Sequence, residues 1–356
     1  MRSPIALPAL FLLSGMCLAG ICQAGAARAA DGAAQVMTYS DPAFQKFYTQ
    51  TVINPFNRQG GLQAQYTPGR SSAEMLGNLR TQKTSPQLDV VIMDTTTAAI
   101  ACKEGLVEPI TAALVPELGE LDPQAVQTGN GCGPGVTFDH LVIYYDAQAV
   151  SPAPASLAVL DDPAWKGKVG LGAPPNIQGL ALTAVYNHAA TGDWRKADAG
   201  FAALRTLAPQ VQTFEPQPDG YTLIQQGVLD FCTGWNARSQ FFHDQTGGRI
   251  GVMLPKEGTV LQINTINVVK NAPHRDAALA FMRHALSAPA QAAFAEALFY
   301  APTNTRAQVR PDVAARLATS PENRARIVDV DWNEMVRLRD NWTQRWRREV
   351  IANGGR

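Results

Sequence analysis

Three short polar stretches carry side chains able to recognise a charged or polar molecule: Tyr39-Ser40-Asp41, Gly69-Arg70-Ser71-Ser72 and Asp94-Thr95-Thr96-Thr97. Arg70 presents a planar, permanently charged fork that suits an anionic group. Ser71 and Ser72 open a helix, whose free N–H groups also favour an anion. Otherwise Arg70 is a solvated surface side chain. Asp41 and Asp94 stand where either helix capping or ligand contact is expected. No Cys-x-x-Cys or Cys/His spacing marks a metal site, and no Ser/His/Asp or Cys/His/Asp grouping marks a nucleophilic one. Tyr144 and Tyr145 superficially suit iron, but adjacent strand residues point to opposite faces. One core and one exposed tyrosine are expected, and no iron.

These stretches need elements to hold them. AQVMTY, LQAQYT and DVVIMD read as short apolar strands, alternating with a segment from Pro42 to Gly60, an amphipathic helix through Met75, Leu76 and Leu79, and a helix ending at Cys102. That alternation indicates a parallel α/β sheet. Such sheets bind ligands beyond the C-terminal ends of their strands, which is where the three polar stretches lie. VTFDHLVIYYD, from Val136, is a long β-rich run that would carry the chain into a second lobe. Residues 259–269 would bring it back, so two crossings form a hinge. The Arg- and Trp-rich C-terminal region reads as helical, with Trp332, Trp342 and Trp346 as packing residues.

At 356 residues the chain exceeds a comfortable single core, so two lobes are expected. Its 30 basic and 30 acidic residues balance. That argues against nucleic-acid or anionic-membrane binding, which needs a basic surface. Residues 1–29 read as a Sec-type signal peptide: Arg2, an apolar run from Ile5 to Ile21, then Ala27-Arg28-Ala29 as an A-x-A site. Pro4, Pro8, Ser14 and several glycines interrupt the run, so it is a poor membrane span. Met16 and Ile21 precede Cys17 and Cys22 where a lipoprotein signal needs small residues. After cleavage three cysteines remain. Cys102, at the end of a helix, and Cys132, in NGCGPG, are the better disulfide pair. Their loop of about 30 residues would add roughly 3 kcal/mol. Cys232, in LDFCTGW, reads as a buried thiol.

Four further segments, SLAVLDDPAWKGKVGL, QGVLDFCTGWNARSQ, PKEGTV and FYAPTN, occur in an order and spacing that resemble extracellular solute-binding proteins of ABC importers, in particular the spermidine/putrescine-binding group. The resemblance covers nearly the whole mature chain. It implies a type II periplasmic-binding architecture: two α/β lobes joined by a two-strand hinge, closing on a solute. The lobes would be 30–137 with 264–307, and 138–263 with 308–356. It also implies a periplasmic monomer without cofactor that serves an inner-membrane permease.

In polyamine-binding members, carboxylates hold the ligand's ammonium groups and aromatics flank its methylenes. Here the aromatic-x-acid of the returning strand becomes Gln262-Ile263-Asn264, and the acids after the KGKV strand become neutral, with Asn176 and Gln178 nearest. The Gly-Ser after Trp235-Asn236 becomes Ala237-Arg238, while Trp235 and Tyr300 keep the family's aromatics. Fewer acids and one added cation imply a zwitterionic or anionic solute, with Arg238 as the carboxylate or phosphonate clamp. Arg238 could instead pair with Asp244 on a helix face. A polyamine remains the alternative solute. A thiaminase-like enzyme shares the architecture and would need Cys102 or Cys132 as nucleophile.

Overall fold

The computed structural model describes residues 32–354. The expected signal peptide, with Cys17 and Cys22, lies outside the described residues.

β1 (Ala34–Tyr39) pairs in parallel with β2 (Ala64–Gly69) on one side and β3 (Val90–Asp94) on the other. Each strand leads directly into a helix: α1 (Pro42–Tyr48), α2 (Ser72–Thr81) and α3 (Thr95–Lys103). A short polar side chain starts each one. Asp41 accepts from the Phe44 N–H, Ser71 from Glu74, and Asp94 from Thr97. These caps satisfy otherwise orphaned donors and hold three helix starts at one edge of the sheet.

The two long strands are β4 (Gly135–Asp146) and β9 (Thr259–Val268), buried along their whole length. Between them in sequence lie β5 (Val169–Gly170), helix α4 (Ile177–Thr191), β6 (Val211–Thr213), β7 (Phe231–Trp235), helix α5 (Asn236–Gln245) and β8 (Ile250–Met253). β9 runs antiparallel to β3 at its C-terminal end and to β4 along Gly135–His140. The rest of β4 pairs with β7 and β8. The sheet order β2-β1-β3-β9-β4-β7-β5-β6 therefore passes from one lobe to the other through β9 and β4.

Two large apolar clusters flank this crossing. On β4 the change falls between Phe138, in the first, and Leu141, in the second. On β9 it falls between Val260 and Leu261, slightly before the expected position. Helix α6 (Ala288–Leu298) packs in the first core and ends at Phe299, whose φ of 60° turns the chain toward Tyr300. One segment departs from the expected division. Val313, Leu317 and Ala318 belong to the first core, although residues from 308 onward were expected in the second lobe. Only the last part, Val328 to Val350 with helix α7 (Trp332–Arg345), packs in the second. The intervening chain is polar enough to cross between lobes, and its burial is decided by docking rather than periodicity.

Cys102 and Cys132 are bonded across 30 residues, tying the end of α3 to the approach of β4. Cys232 is a free, buried thiol whose pKa burial pushes up to about 12. Among the described residues, no helix is long and apolar enough to cross a membrane.

Candidate functional site

The first lobe supplies a hydrogen-bonded wall. Tyr39, at the end of β1, shares a 3.0 Å hydrogen bond with Ser72 Oγ and donates another, also 3.0 Å, to Asn264 Oδ1. Ser72 Oγ in turn accepts from the Asp94 N–H. Asn264 donates through Nδ2 to Thr137 Oγ1, and Gln262 Nε2 reaches its Oδ1 at 3.5 Å. Thus β1, β3, β4 and β9 meet in one polar seam. Burial raises the Tyr39 phenol, and the nearby Asp94 charge adds to the shift. Phe44 stands edge-on to both Tyr39 and Tyr300, while Tyr300 stacks on Phe294 with centroids 5.3 Å apart.

The second lobe supplies charge and aromatic surface. Arg238 lies in the first turn of α5, and its Nη2 meets Asp41 Oδ2 of the first lobe at 2.8 Å. The pair spans the cleft. Asp244, the alternative partner expected from sequence, is held by Arg316 at 2.9 Å. Beneath Arg238 runs an aromatic stack: Tyr221 lies between Tyr144, at 4.1 Å, and Phe242, at 4.2 Å. The guanidinium carbon is 5.3 Å from the Tyr221 ring centroid, within cation–π range. Burial works against the charge of Arg238, but the surrounding groups, Asp41 among them, outweigh it and hold its pKa above the ordinary value. Arg238 Nε is buried and has no protein partner. A buried donor without an acceptor is costly, so this atom invites one.

Asp139 completes the floor. It sits on β4 opposite Gln262, is 1% exposed, and was not singled out from sequence. Its carboxylate accepts from the N–H groups of His140 and Ala237, so it caps the start of α5. Burial pushes its pKa up to about 8, against the pull of those backbone donors. Burial also raises the Tyr300 phenol far above its usual range, with the Asp139 charge acting in the same direction. One signal was available: Asp139 and His140 interrupt an otherwise apolar strand.

Other predicted residues are committed elsewhere. Arg70 precedes α2, and its 85% exposed side chain pairs with Glu74 in the first turn of that helix, so it is a surface residue. Ser71 is exposed and occupied as the α2 cap. Asp94 accepts from Thr96 Oγ1, the Thr97 N–H and Thr97 Oγ1, leaving its carboxylate engaged in capping. Thr95 donates to the Ile263 carbonyl and is 2% exposed. Asn236 donates to the Arg316 carbonyl and accepts from Gln240, so its amide ties α5 to the segment after Tyr300. Gln178 accepts from Thr233 Oγ1 at 3.2 Å, near the end of β7. Trp235 packs against the second core, half-buried. Ser40 is half-buried beside Asp41, its N–H donating to the Gly69 carbonyl. Tyr144 and Tyr145 are both buried, at 3% and 7% exposure, because both faces of β4 are covered. That corrects the expectation of one exposed tyrosine. Among the described residues no group of three or more His, Cys, Asp or Glu side chains could hold a metal.

Comparison with known proteins places this arrangement. The family model described as "Bacterial extracellular solute-binding protein" matches residues 51–321. The spermidine/putrescine-binding periplasmic protein of Escherichia coli K12 is 25% identical over 277 residues, 76% of each chain. The gamma-aminobutyric acid-binding protein of Pseudomonas aeruginosa is 26% identical over 315 residues, covering 83% of this chain and 87% of that one. Among solved structures, the binding protein MotA of A. tumefaciens B6, in complex with glucopine, superposes with a TM-score of 0.74 at 20% identity. It covers 90% of this chain and 100% of its own, so the two share the type II periplasmic-binding fold. With a family match across most of the described residues and two lobes meeting at a charged, aromatic cleft, the chain belongs to the bacterial extracellular solute-binding proteins.

Proposed function

We propose that this chain captures a small polar organic acid, anionic or zwitterionic, in the periplasm and delivers it to an inner-membrane ABC permease. Amino acid derivatives, opines and aminophosphonates fit the class. The observation that carries the reading is Arg238: a half-buried cation beside the crossing strands, with a buried Nε that has no protein acceptor. A carboxylate or phosphonate arriving there gains a charge-assisted hydrogen bond. Lobe closure follows because such a solute contacts groups from both lobes and stabilises the closed state more than the open one.

The polyamine alternative meets an electrostatic obstacle. The acids near Arg238 already have partners: Asp41 has Arg238, Asp94 caps α3, Asp139 caps α5, and Asp219 accepts from the N–H and hydroxyl of Thr222. An ammonium buried without a free carboxylate pays a large desolvation penalty, and here it would also meet the guanidinium. The cysteine-enzyme alternative loses its nucleophile, since Cys102 and Cys132 are bonded to each other.

Thermal-shift and calorimetric titration with amino acids, opine-like acids, aminophosphonates, putrescine and spermidine tests the reading. Binding of an acid stabilises the folded chain in proportion to the logarithm of its concentration over Kd. Arg238→Gln should weaken that binding by about 2 kcal/mol, roughly 30-fold, the scale of a lost hydrogen bond to a charged group. Stabilisation by spermidine together with indifference to every acid would overturn the proposal.

A further inference from the structure

The Asp41–Arg238 pair does more than reveal a cation. Its two members come from different lobes, and each has a defined second role. Asp41 lies just beyond β1 and caps α1 through the Phe44 N–H. Arg238 stands in the first turn of α5 above the Tyr221 stack. Their contact, at 2.8 Å, occupies the charge that an incoming acid needs.

Resting on the acid-binding reading above, we propose that Asp41 is an internal stand-in for the solute's carboxylate and the determinant that selects zwitterions. When an acid takes Arg238, Asp41 loses its counter-charge. Its side chain is only 16% exposed, and among the described residues Arg238 is its sole ion-pair partner. A simple anion therefore exchanges one ion pair for another and strands a partly buried carboxylate, which is unfavourable. A solute that also carries an ammonium restores the balance. Its carboxylate pairs with Arg238, its ammonium with Asp41, and one internal pair becomes two. A simple amine fails for the mirror reason, because it leaves Arg238 stranded. Discrimination of this kind arises from unpaired charge in the wrong complex rather than from added attraction in the right one. The same contact bridges the lobes before the solute arrives, so binding replaces a latch instead of creating one.

The test uses the exported full chain and matched probes: β-alanine, 4-aminobutyrate and 5-aminovalerate against propionate, butyrate and valerate. Wild-type protein should prefer the best amino acid over its des-amino partner by at least tenfold. Asp41→Asn keeps a residue that caps helices equally well while removing the charge. In that variant the amino acid should weaken at least tenfold and the plain acid should tighten severalfold, so the preference collapses. Equal changes for both probes, or a wild-type protein that binds the plain acid as tightly, overturn the stand-in role while leaving acid binding intact. If neither series binds wild-type protein, the acid reading for solutes of this size falls, and the stand-in role with it. The wild-type preference can be measured whether or not the variant folds.

Discussion

The two walls of the cleft are built on opposite terms. The first-lobe wall is finished: Tyr39, Ser72, Asn264 and Thr137 satisfy one another, and the disulfide Cys102–Cys132 ties the adjoining loop. The second-lobe wall is open. Arg238 carries an unpartnered Nε above a stack of rings, and the cysteine of that lobe, Cys232, is a reduced core thiol. A wall whose polar groups are already paired gives shape and rigidity. A wall with a vacant hydrogen-bonding position gives recognition. The difference predicts that damage to the first lobe appears as instability, and damage to the second as lost affinity.

The largest expected effect comes from the cross-link. Replacing both Cys102 and Cys132 by Ser should lower stability by about 3–4 kcal/mol, the magnitude for a loop of this length. All six tryptophans, from Trp165 to Trp346, pack with the second core, so indole fluorescence reports that lobe alone. In urea, circular dichroism of the variant should show unfolding that begins before the fluorescence changes. Coincident transitions at the wild-type midpoint would remove the contrast between lobes.

A smaller effect should follow from Asn264→Leu. It leaves Tyr39 and Thr137 without their partner inside a buried seam, which costs about 2 kcal/mol, read from the urea midpoint. A loss of acid binding without loss of stability would instead move Asn264 from scaffold to recognition.

The smallest concerns the rejected arginine. Arg70→Ala should change stability by less than about 0.5 kcal/mol, since an exposed i,i+4 pair contributes little. Solute affinity, followed by calorimetry, should stay the same. A tenfold weakening would return Arg70 to the site.

Local chemistry made much of the fold legible. The caps Asp41, Ser71 and Asp94 mark helix starts because few side chains can satisfy those N–H groups. The continuous apolar run at residues 90–93 marks a strand covered on both faces, and the long run Gly135–Asp146 is β-rich although Asp139 and His140 interrupt it. The site was legible only in part. Asn264 and Gln262 stand at the crossing strands, but Asn264 is bonded within the protein, because a buried amide takes whatever partner lies nearest. Asp139 was hidden inside a strand, where a single acid carries no periodic signal. Residues 309–318 could not be assigned by pattern, since their few apolar side chains fit either core.

The two arginines show where sequence stops and structure begins. Arg70 and Arg238 share a local setting: each lies where a strand gives way to a helix, Arg70 just before the helix and Arg238 in its first turn. Sequence alone determined that setting, through strand patterning and capping. Only the tertiary structure decided between them. β2 is the edge strand of the sheet, so the loop carrying Arg70 faces solvent. β7 lies against the crossing strand β4, so Arg238 is carried to the hinge, where Asp41 of the other lobe is within reach. Strand order is set by long-range packing, and no short-range signal contains it.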